Sequence, residues 1–260
     1  MRIATWNVNG VVARLDFLLH WLRAREPDLV ALQETKRADE EFPHERLQEA
    51  GYFAATHGQR GWNGVAVLSR KPIEPRQIVR QGLPGQEDFG ARLLGVETEG
   101  LHLASVYVPN GKHVGHEDFP RKVAWLDALA DHLARSHDAA QPLVLGGDFN
   151  LCPAPIDSWN EAALRGQIFH TEEERARMRR LLDWGLRDVF RELHPGVQAF
   201  TWWDYRGGAF HRKQGLRIDF LLSTPSVLSR VRTVSIDRDY RKKQDGLTAS
   251  DHAPVIADLD

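Results

Sequence analysis

The sequence predicts one α/β domain, residues 1–260, that is built on mixed β-sheets. Apolar runs of strand length alternate with segments in which leucine recurs at helical spacing. Two strand-like runs, 91–98 and 101–108, are separated only by Glu99-Gly100, which is typical of an antiparallel hairpin. No repeat, low-complexity tract or linker interrupts the chain, and 260 residues with 42% hydrophobic content suffice for a large core.

The first 70 residues predict the order strand, helix, strand, strand. The first strand is Arg2–Asn7, which stops at the Asn9-Gly10 turn. The helix after it ends before Pro27 and is marked by Leu15, Leu18, Leu19 and Leu22. Residues 28–34 form a strand that ends at Glu34, and its apolar middle indicates cover on both faces. Residues 62–70 are predicted to be a turn that leads into a third strand.

The remaining elements follow the hairpin and a loop, 109–118, that is rich in glycine and histidine. The next helix is marked by Leu126, Leu129, Ala130 and Leu133. Residues 143–145 form a short apolar run, which predicts a buried strand. Thr171–Glu174 is a capping box, so the charged run after it is interpreted as the solvated face of a helix that ends before Gly185. Further strands are predicted at 199–203, 217–222, 231–236 and 254–259.

Composition limits the classes of function. The net charge of −2 gives no argument for a nucleic-acid partner, so any phosphate-binding surface must be local. A single cysteine, Cys152, excludes an intrachain disulfide and favours a reducing compartment. We interpret Cys152 as a small buried side chain, because it has no evident partner base. Neither a signal peptide nor a long apolar segment is present, so we expect a cytoplasmic protein without a membrane partner.

The segment 143–150 carries the first candidate site. Asp148 and Asn150 follow the predicted strand and two glycines, and in extended backbone they would point to the same side. A carboxylate and an amide oxygen in this arrangement suit a hard divalent cation or a water molecule to be activated. The alternative is an Asx-turn that closes the strand, with both side chains bonded to local backbone.

Several other strands end or begin at polar residues. Asn7, Glu34, and Asp251 with His252 lie at such positions, and Asp219 lies within a predicted strand. A carboxylate in so apolar a strand is costly unless it is paired, and histidine is a natural partner because the carboxylate fixes its tautomer and charge. We therefore pair Asp219 with His252. The alternative is that Asp219 pairs with Arg217 or with a backbone donor.

Six segments of the chain resemble, in order, the motifs of the exonuclease III family, the apurinic/apyrimidinic endonucleases of the endonuclease/exonuclease/phosphatase superfamily. They are Trp6–Gly10, Gln33–Lys36, Tyr107–Asn110, Gly147–Asn150, Leu216–Asp219 and Ser250–Pro254. The resemblance implies a four-layer α/β sandwich, with two mixed sheets packed face to face, helices outside each and the site at one edge. It also implies a Mg²⁺- or Mn²⁺-dependent DNA phosphodiester hydrolase.

The resemblance further implies the roles of individual residues. Glu34 is the main metal ligand, with help from Asn7 and from Asp251 or Asp148, and Asn150 lies beside them. Asp148 is the candidate base for the attacking water, although a Tyr107 phenolate is an alternative. His252, held by Asp219, contacts the scissile phosphate, as do Tyr107 and Asn110. Asn9 departs from those members that have an acid at this position, so a second metal site there is not implied.

The substrate expected from the resemblance is double-stranded DNA with abasic or 3′-blocked sites, cleaved by a monomer. Arg206, Arg212, Lys213 and Arg217 form a basic, acid-free stretch suited to phosphates. Trp202 and Leu216 resemble the wall of the family's pocket for a base-free sugar; the alternative is that they are core. Lys112 and His113 either contact DNA or belong to a solvated loop. Other phosphodiesterases or phosphatases of the superfamily, or an inactive DNA-binding relative, remain as alternative functions.

Overall fold

Most strands coincide with predicted apolar runs and are separated by turns. The computed structural model describes residues 1–260. Its strands are β1 Arg2–Asn7, β2 Leu29–Gln33, β3 Phe53–His57, β4 Val65–Ser69, β5 Ile78–Gln81, β6 Leu93–Thr98, β7 Leu101–Tyr107, β8 Leu143–Asp148, β9 Arg187–Asp188, β10 Asp219–Ser223, β11 Val231–Ile236 and β12 Val255–Leu259. Its α-helices are α1 Leu15–Arg25, α2 His44–Glu49, α3 Asp118–Ser136, α4 Glu161–Leu164, α5 Glu172–Trp184, α6 Val189–Leu193 and α7 Pro225–Leu228.

The strands form two mixed sheets of six strands each. The first has the order β11-β12-β1-β2-β4-β3, and the second has the order β5-β6-β7-β8-β10-β9. Each sheet contains one parallel pair, β1 with β2 and β7 with β8, and all other pairs are antiparallel. In each parallel pair a helix, α1 or α3, connects the two strands, as a parallel connection requires.

Three apolar layers hold four structural layers together. Between the two sheets lie side chains from both, including Ile3, Val67, Leu103 and Val144. The opposite face of the first sheet packs on α1, with Trp6 and Trp21 in contact. The opposite face of the second sheet packs on α3 and α5 through residues such as Leu126, Leu145 and Phe220. The predicted four-layer sandwich is therefore confirmed. That residues 1–260 form one domain stays a prediction. None of the helices combines the length and the apolar character needed to cross a membrane.

Most predicted elements are confirmed, including the hairpin, the capping box of Thr171 and Glu174, and the buried Cys152. The strand predicted at 199–203 is wrong. Only Trp202 makes isolated bridges there, to Leu216 and His252, because the Thr201 side chain accepts the amides of Ile218 and Asp219 and ends the ladder. The strand predicted at 217–222 begins at Asp219. The edge strands β3, β5 and β9, and the short helices α2, α4, α6 and α7, were not predicted.

Close packing of the sheets explains the glycines before Asp148. A Cβ on Gly147 would lie 2.0 Å from the carbonyl oxygen of Val106, and one on Gly146 would lie 3.0 Å from the Ala31 side chain. Between the sheets, the buried Gln33 donates to Thr5, Ser105 and the carbonyl of Gly146. This polar link fixes the two sheets against each other just below the edge where Asn7, Glu34 and Asp148 emerge.

Candidate active site

Strand register brings the predicted polar residues to one edge. Asp148, the last residue of β8, is directly opposite Tyr107 at the end of β7 and Asp219 at the start of β10. Asn7 ends β1 on the other sheet, and its side-chain amide donates to Asp148 at 2.9 Å and to Glu34 at 2.9 Å. The carboxyl ends of both parallel pairs therefore converge, and residues distant in sequence form one cluster.

Asp219 and His252 form the predicted pair. His252 Nδ1 lies 2.9 Å from Asp219 Oδ2, and both side chains are almost fully buried. Burial alone lowers the pKa of His252, but the charge of Asp219 more than offsets this effect and raises the pKa to about 10. His252 is therefore an imidazolium at neutral pH, and its Nε2 lies 3.9 Å from Asp148 Oδ2. The alternative partner, Arg217, is instead buried between Asp157 and Asp188.

Glu34 is the centre of a second group of contacts. Its Oε1 accepts from Tyr107 Oη at 2.9 Å, and its Oε2 lies 2.7 Å from Lys36 Nζ. Burial tends to raise the pKa of Glu34, but the Lys36 charge and the Asn7 hydrogen bond lower it overall, so the carboxylate is ionised. Glu34 and Lys36 both have left-handed backbone, with φ of 53° and 56°, which is uncommon outside glycine and typical of functional turns.

Asp251 lies at the other end of the cluster. Its two oxygens accept from Asn9 Nδ2 at 2.9 Å and from Trp202 Nε1 at 3.0 Å. Asn9 also accepts from Lys36 Nζ at 2.6 Å, so this residue connects the Glu34 and Asp251 groups. Burial tends to raise the pKa of Asp251, but the neighbouring His252 charge lowers it overall.

The donor set suits a divalent cation. Among the four carboxylates Glu34, Asp148, Asp219 and Asp251, the first lies within ion-pair distance of Lys36 and the next two lie within that distance of His252. Asp251 forms no ion pair, although the His252 charge lowers its pKa. Burial, and then the nearby Asp219 charge, raises the pKa of Asp148 to about 7, because both disfavour the ionised carboxylate.

The composition of the donor set also limits which residues can bind such an ion. Asp148, Asp219 and His252 bring ligand atoms within 4.8 Å of one another, but a protonated imidazole has no lone pair for a metal. The oxygens of Glu34, Asn7, Asp148 and Asp251 are therefore the candidates.

The turn after β8 corrects the expectation for Asn150. Asn150 has φ of 51°, so the backbone is not extended and the same-side argument does not hold. Its amide donates to Asp148 Oδ1 at 2.9 Å, which is the Asx-turn considered as the alternative. The Asn150 side chain donates to the carbonyl of Val108 and accepts from Asn110 Nδ2 at 3.3 Å. Asn150 therefore lies next to Asp148 but faces the loop 109–118.

Lys122 is a buried residue that sequence reasoning missed. It lies on α3, is fully buried, and its Nζ donates to the carbonyls of Asn110 and Asn150 and to Glu174. Glu174 in turn caps α5 through Thr171. Three acceptors satisfy all three protons of the ammonium group, so this pair fixes both loops behind the cluster. From the sequence, helical spacing indicates only that Lys122 is a polar residue on the apolar face of α3, so its partners could not be predicted.

Lys112 and Arg212 lie outside the cluster. Lys112 is exposed in the loop 109–118 and pairs with Asp118 at 2.8 Å, while lining a groove of about 440 Å³ that reaches Glu34. The same groove contains Arg92, Arg121 and the exposed Trp62, none of which was predicted. Arg212 lines a different pocket, and the buried Arg217 is not available to phosphates, which corrects the expected basic stretch.

An apolar wall flanks His252. Trp202 and His252 have ring centroids 6.5 Å apart, and Trp202 pairs with Leu216 across an isolated bridge. Leu216 is buried with Cys152 and Ile218, whereas Trp202 is only partly buried, as is the neighbouring Phe169. Leu216 thus belongs to a small satellite core, and Trp202 presents part of its ring beside the cluster.

The comparisons with known proteins agree with this geometry. A model described as the endonuclease/exonuclease/phosphatase family matches residues 4–252. The chain is 36% identical to exodeoxyribonuclease III of Haemophilus influenzae, with all of both chains covered. It is 32% identical to an exodeoxyribonuclease of Bacillus subtilis, with 98% of each covered.

Among solved structures, a 3′ phosphatase from Neisseria bound to a product DNA hairpin superposes with a TM-score of 0.93 at 36% identity, covering 100% of this chain and 99% of that one. An AP endonuclease from Archaeoglobus fulgidus superposes with a TM-score of 0.94 at 32% identity and the same coverage. The full-length match to named exodeoxyribonucleases and the shared two-sheet fold lead to one conclusion: the chain belongs to the endonuclease/exonuclease/phosphatase family, as a hydrolytic nuclease of the exodeoxyribonuclease III type.

Proposed function

We propose that this protein cleaves double-stranded DNA on the 5′ side of abasic sites, with Mg²⁺ or Mn²⁺ as the metal. The observation that supports this proposal is the position of the Asp219–His252 pair. The charged imidazole lies between a cluster of carboxylates and a partly exposed apolar wall. The imidazolium, with a metal ion held by the carboxylates, would suit a scissile phosphate, and the wall would suit a sugar without a base.

Glu34, Asn7 and Asp251 or Asp148 would hold the metal ion. When bound, such an ion supplies positive charge to the phosphate and polarises its oxygens. His252 supplies a second positive charge, because Asp219 keeps it protonated. Asn110, exposed at the start of the loop 109–118, would contact the same phosphate, and Asn150 would hold Asn110 in place. Tyr107 would join them on turning its hydroxyl away from Glu34, which accepts its only proton in the free protein. The charge of His252 is fixed before substrate arrives, which is how preorganised charge lowers a barrier.

Asp148 is the better candidate for the general base. With a pKa raised to about 7 by burial and by Asp219, it can accept a proton from water near neutral pH. Burial, and then the charge of Glu34, raises the pKa of the Tyr107 phenol well above its ordinary value. Tyr107 therefore stays a hydrogen-bond donor, as its contact with Glu34 requires.

The wall of Trp202 and Leu216 would select the substrate. Extrusion of a nucleotide costs least where no base must be unpaired, and a normal base would then collide with the Trp202 ring. Phe169 extends the same wall. A rigid wall of this kind excludes undamaged nucleotides by shape, without any base-specific hydrogen bond.

A second candidate activity is the trimming of blocked 3′ ends or of 3′-terminal nucleotides. The related Neisseria structure supports it, because that protein is described as a 3′ phosphatase and holds a DNA product. Both activities would use the same metal, base and imidazolium. They differ in whether the wall receives an internal abasic sugar or a terminal one.

The test uses two end-labelled duplexes, one with a central abasic analogue and one with a 3′-phosphate at a nick. We expect cleavage of the first at its 5′ side, no cleavage in excess chelator and restoration by Mg²⁺ or Mn²⁺. Trp202→Ala with Leu216→Ala should narrow the preference for abasic over undamaged duplex without changing the metal requirement. Full activity in chelator would contradict the metal assignment, and processing of only the 3′-phosphate would support the second candidate.

Three further points belong to the same proposal. Lys112 would contact the DNA backbone after its ion pair with Asp118 breaks, because the groove that Lys112 lines reaches Glu34. We also propose that the protein acts as a monomer and in the cytoplasm. Size-exclusion chromatography with light scattering, with and without duplex, tests the first of these two statements, and cell fractionation tests the second.

A further inference from the structure

A second pocket lies behind the apolar wall. Its volume is about 620 Å³, which is within the range of small-molecule sites. Trp202 and Trp203 are neighbours with opposite environments: Trp202 donates to Asp251, whereas Trp203 lines this pocket. We call it the basic pocket, and its lining includes Trp159, Phe200, Trp203, Arg212, Lys213 and Arg238.

The lining of the basic pocket has an excess of positive charge. Arg212, Lys213 and Arg238 line it, no carboxylate does, and none of the three cations forms an ion pair elsewhere. By contrast, the nearby Arg206 is paired with Asp204, and Arg217 is paired with two aspartates. Three convergent unpaired cations favour an anionic ligand, and phosphate oxygens are the acceptors that arginine binds best.

The same pocket offers a flat apolar surface. Trp159 is 39% exposed, which is unusual for so large an apolar side chain, and Phe200 is partly exposed. Arg238 stacks 4.3 Å from the Phe210 ring centroid and 5.7 Å from that of Trp203, so its guanidinium is held in place at the rim. Trp203 Nε1 is buried and has no acceptor, which leaves one donor unsatisfied in the lining. Exposed aromatic rings beside cations are the combination that binds nucleotides through base stacking and phosphate contacts.

We propose that the basic pocket binds a single nucleotide, with its phosphate among Arg212, Lys213 and Arg238 and its base against Trp159. A free deoxynucleoside monophosphate and an unpaired nucleotide on a DNA strand have this chemistry in common. The pocket is separated from the catalytic cluster by one segment of chain, since the amide of Trp203 donates to the carbonyl of Asp251. Binding at the pocket does not require cleavage, so its test is independent of the proposed activity.

The experiment measures binding to the full chain in excess chelator, by calorimetry with 2′-deoxyadenosine 5′-monophosphate, inorganic phosphate and deoxyadenosine as separate probes. A second arm compares a blunt duplex with a duplex that has a two-nucleotide unpaired tail. Arg238→Gln and Trp159→Ala change exposed side chains, so both variants should fold. Each variant should bind the monophosphate, or the tailed duplex alone, about tenfold more weakly, because it lacks one charged or stacking contact. The matched control is Arg232→Gln, which lies outside the pocket, and Trp62→Ala reports separately on binding in the groove beside Glu34.

Each outcome of this experiment either identifies the ligand or contradicts the proposal. Weakened monophosphate binding in both pocket variants identifies a free nucleotide as the ligand. An effect confined to the tailed duplex identifies an unpaired nucleotide of DNA. Equal binding by the pocket variants and the unmodified protein would overturn the proposal, as would loss of binding in Trp62→Ala alone, which would place the nucleotide in the groove beside Glu34.

Discussion

Replacement of Asp219 by Asn tests the central pair most directly. The change keeps the size of the side chain and removes its charge. Burial lowers the pKa of His252, but Asp219, with smaller contributions from Asp251 and Asp148, raises it from 6.5 to about 10 overall. At about 1.4 kcal/mol per pKa unit, the surroundings therefore favour the imidazolium by about 5 kcal/mol. If all of that preference acts on the transition state, its loss corresponds to roughly a 10³- to 10⁴-fold decrease in rate.

The assay is single-turnover cleavage of an end-labelled abasic duplex at saturating metal between pH 5.5 and 9. With a pKa of about 10, His252 in the unmodified protein stays charged over this range. In Asp219→Asn the pKa of His252 should fall, so a larger fraction of the imidazole is neutral at pH 7.5. The rate of the variant relative to the unmodified protein should therefore be lowest at high pH and should partly recover as the pH decreases, because the titration of Asp148 affects both proteins. His252→Ala should lower the rate by a similar factor, with no recovery as the pH decreases. The double variant should be only slightly slower than either single variant, because the two residues act as a unit.

Three results would refute this reasoning. They are additive losses in the double variant, a rate of Asp219→Asn within fivefold of the unmodified protein, or a ratio of the two rates that does not rise as the pH decreases. Thermal unfolding of each variant serves as the folding control, because the removal of one partner of a buried pair also destabilises the fold.

The remaining predictions concern the base, the buried lysine and a remote histidine. Asp148→Asn should leave binding of abasic duplex intact, measured by gel shift, and lower turnover by at least roughly a hundredfold; near-normal turnover would move the base to Tyr107. Lys122→Met should lower kcat more than it raises KM, because the carbonyls of Asn110 and Asn150 lose their donor. It should also lower the free energy of unfolding in urea by about 3–5 kcal/mol. The substitution Lys243→Met, at an exposed lysine, is the control. The pKa of His132 is lowered to about 4 by burial and then by the Arg80 charge. Its neutral form is therefore favoured in the folded state, so stability is fully present above about pH 6.5 and is lost as the pH falls toward 4. The free energy of unfolding, measured with a chemical denaturant, should be lower at pH 5 than at pH 7.5. This decrease should be about 1–2 kcal/mol larger in the unmodified protein than in His132→Leu.

The sequence by itself determined which segments carry the chemistry. Asn7, Glu34 and Asp148, at or directly after the ends of apolar strands, are recognisable because a carboxylate or amide beside a buried run must be paired or bind a ligand. The Asp219–His252 pair followed from the cost of a lone buried carboxylate, and it is observed at 2.9 Å. The capping box of Thr171 was readable for a similar reason, because its hydrogen bonds are local and depend on spacing alone.

Only the tertiary structure decided how these residues face one another. Asn150 turns through left-handed backbone toward Asn110, Arg217 is buried between two aspartates, and Lys122 reaches two loops from a helix. The segment 199–203 is not a strand, because Thr201 ends the ladder with its side chain. Each of these outcomes depends on contacts between residues that are far apart in sequence. Periodicity and local spacing report only which face of an element is apolar, so they cannot specify which distant partner a buried polar group will meet.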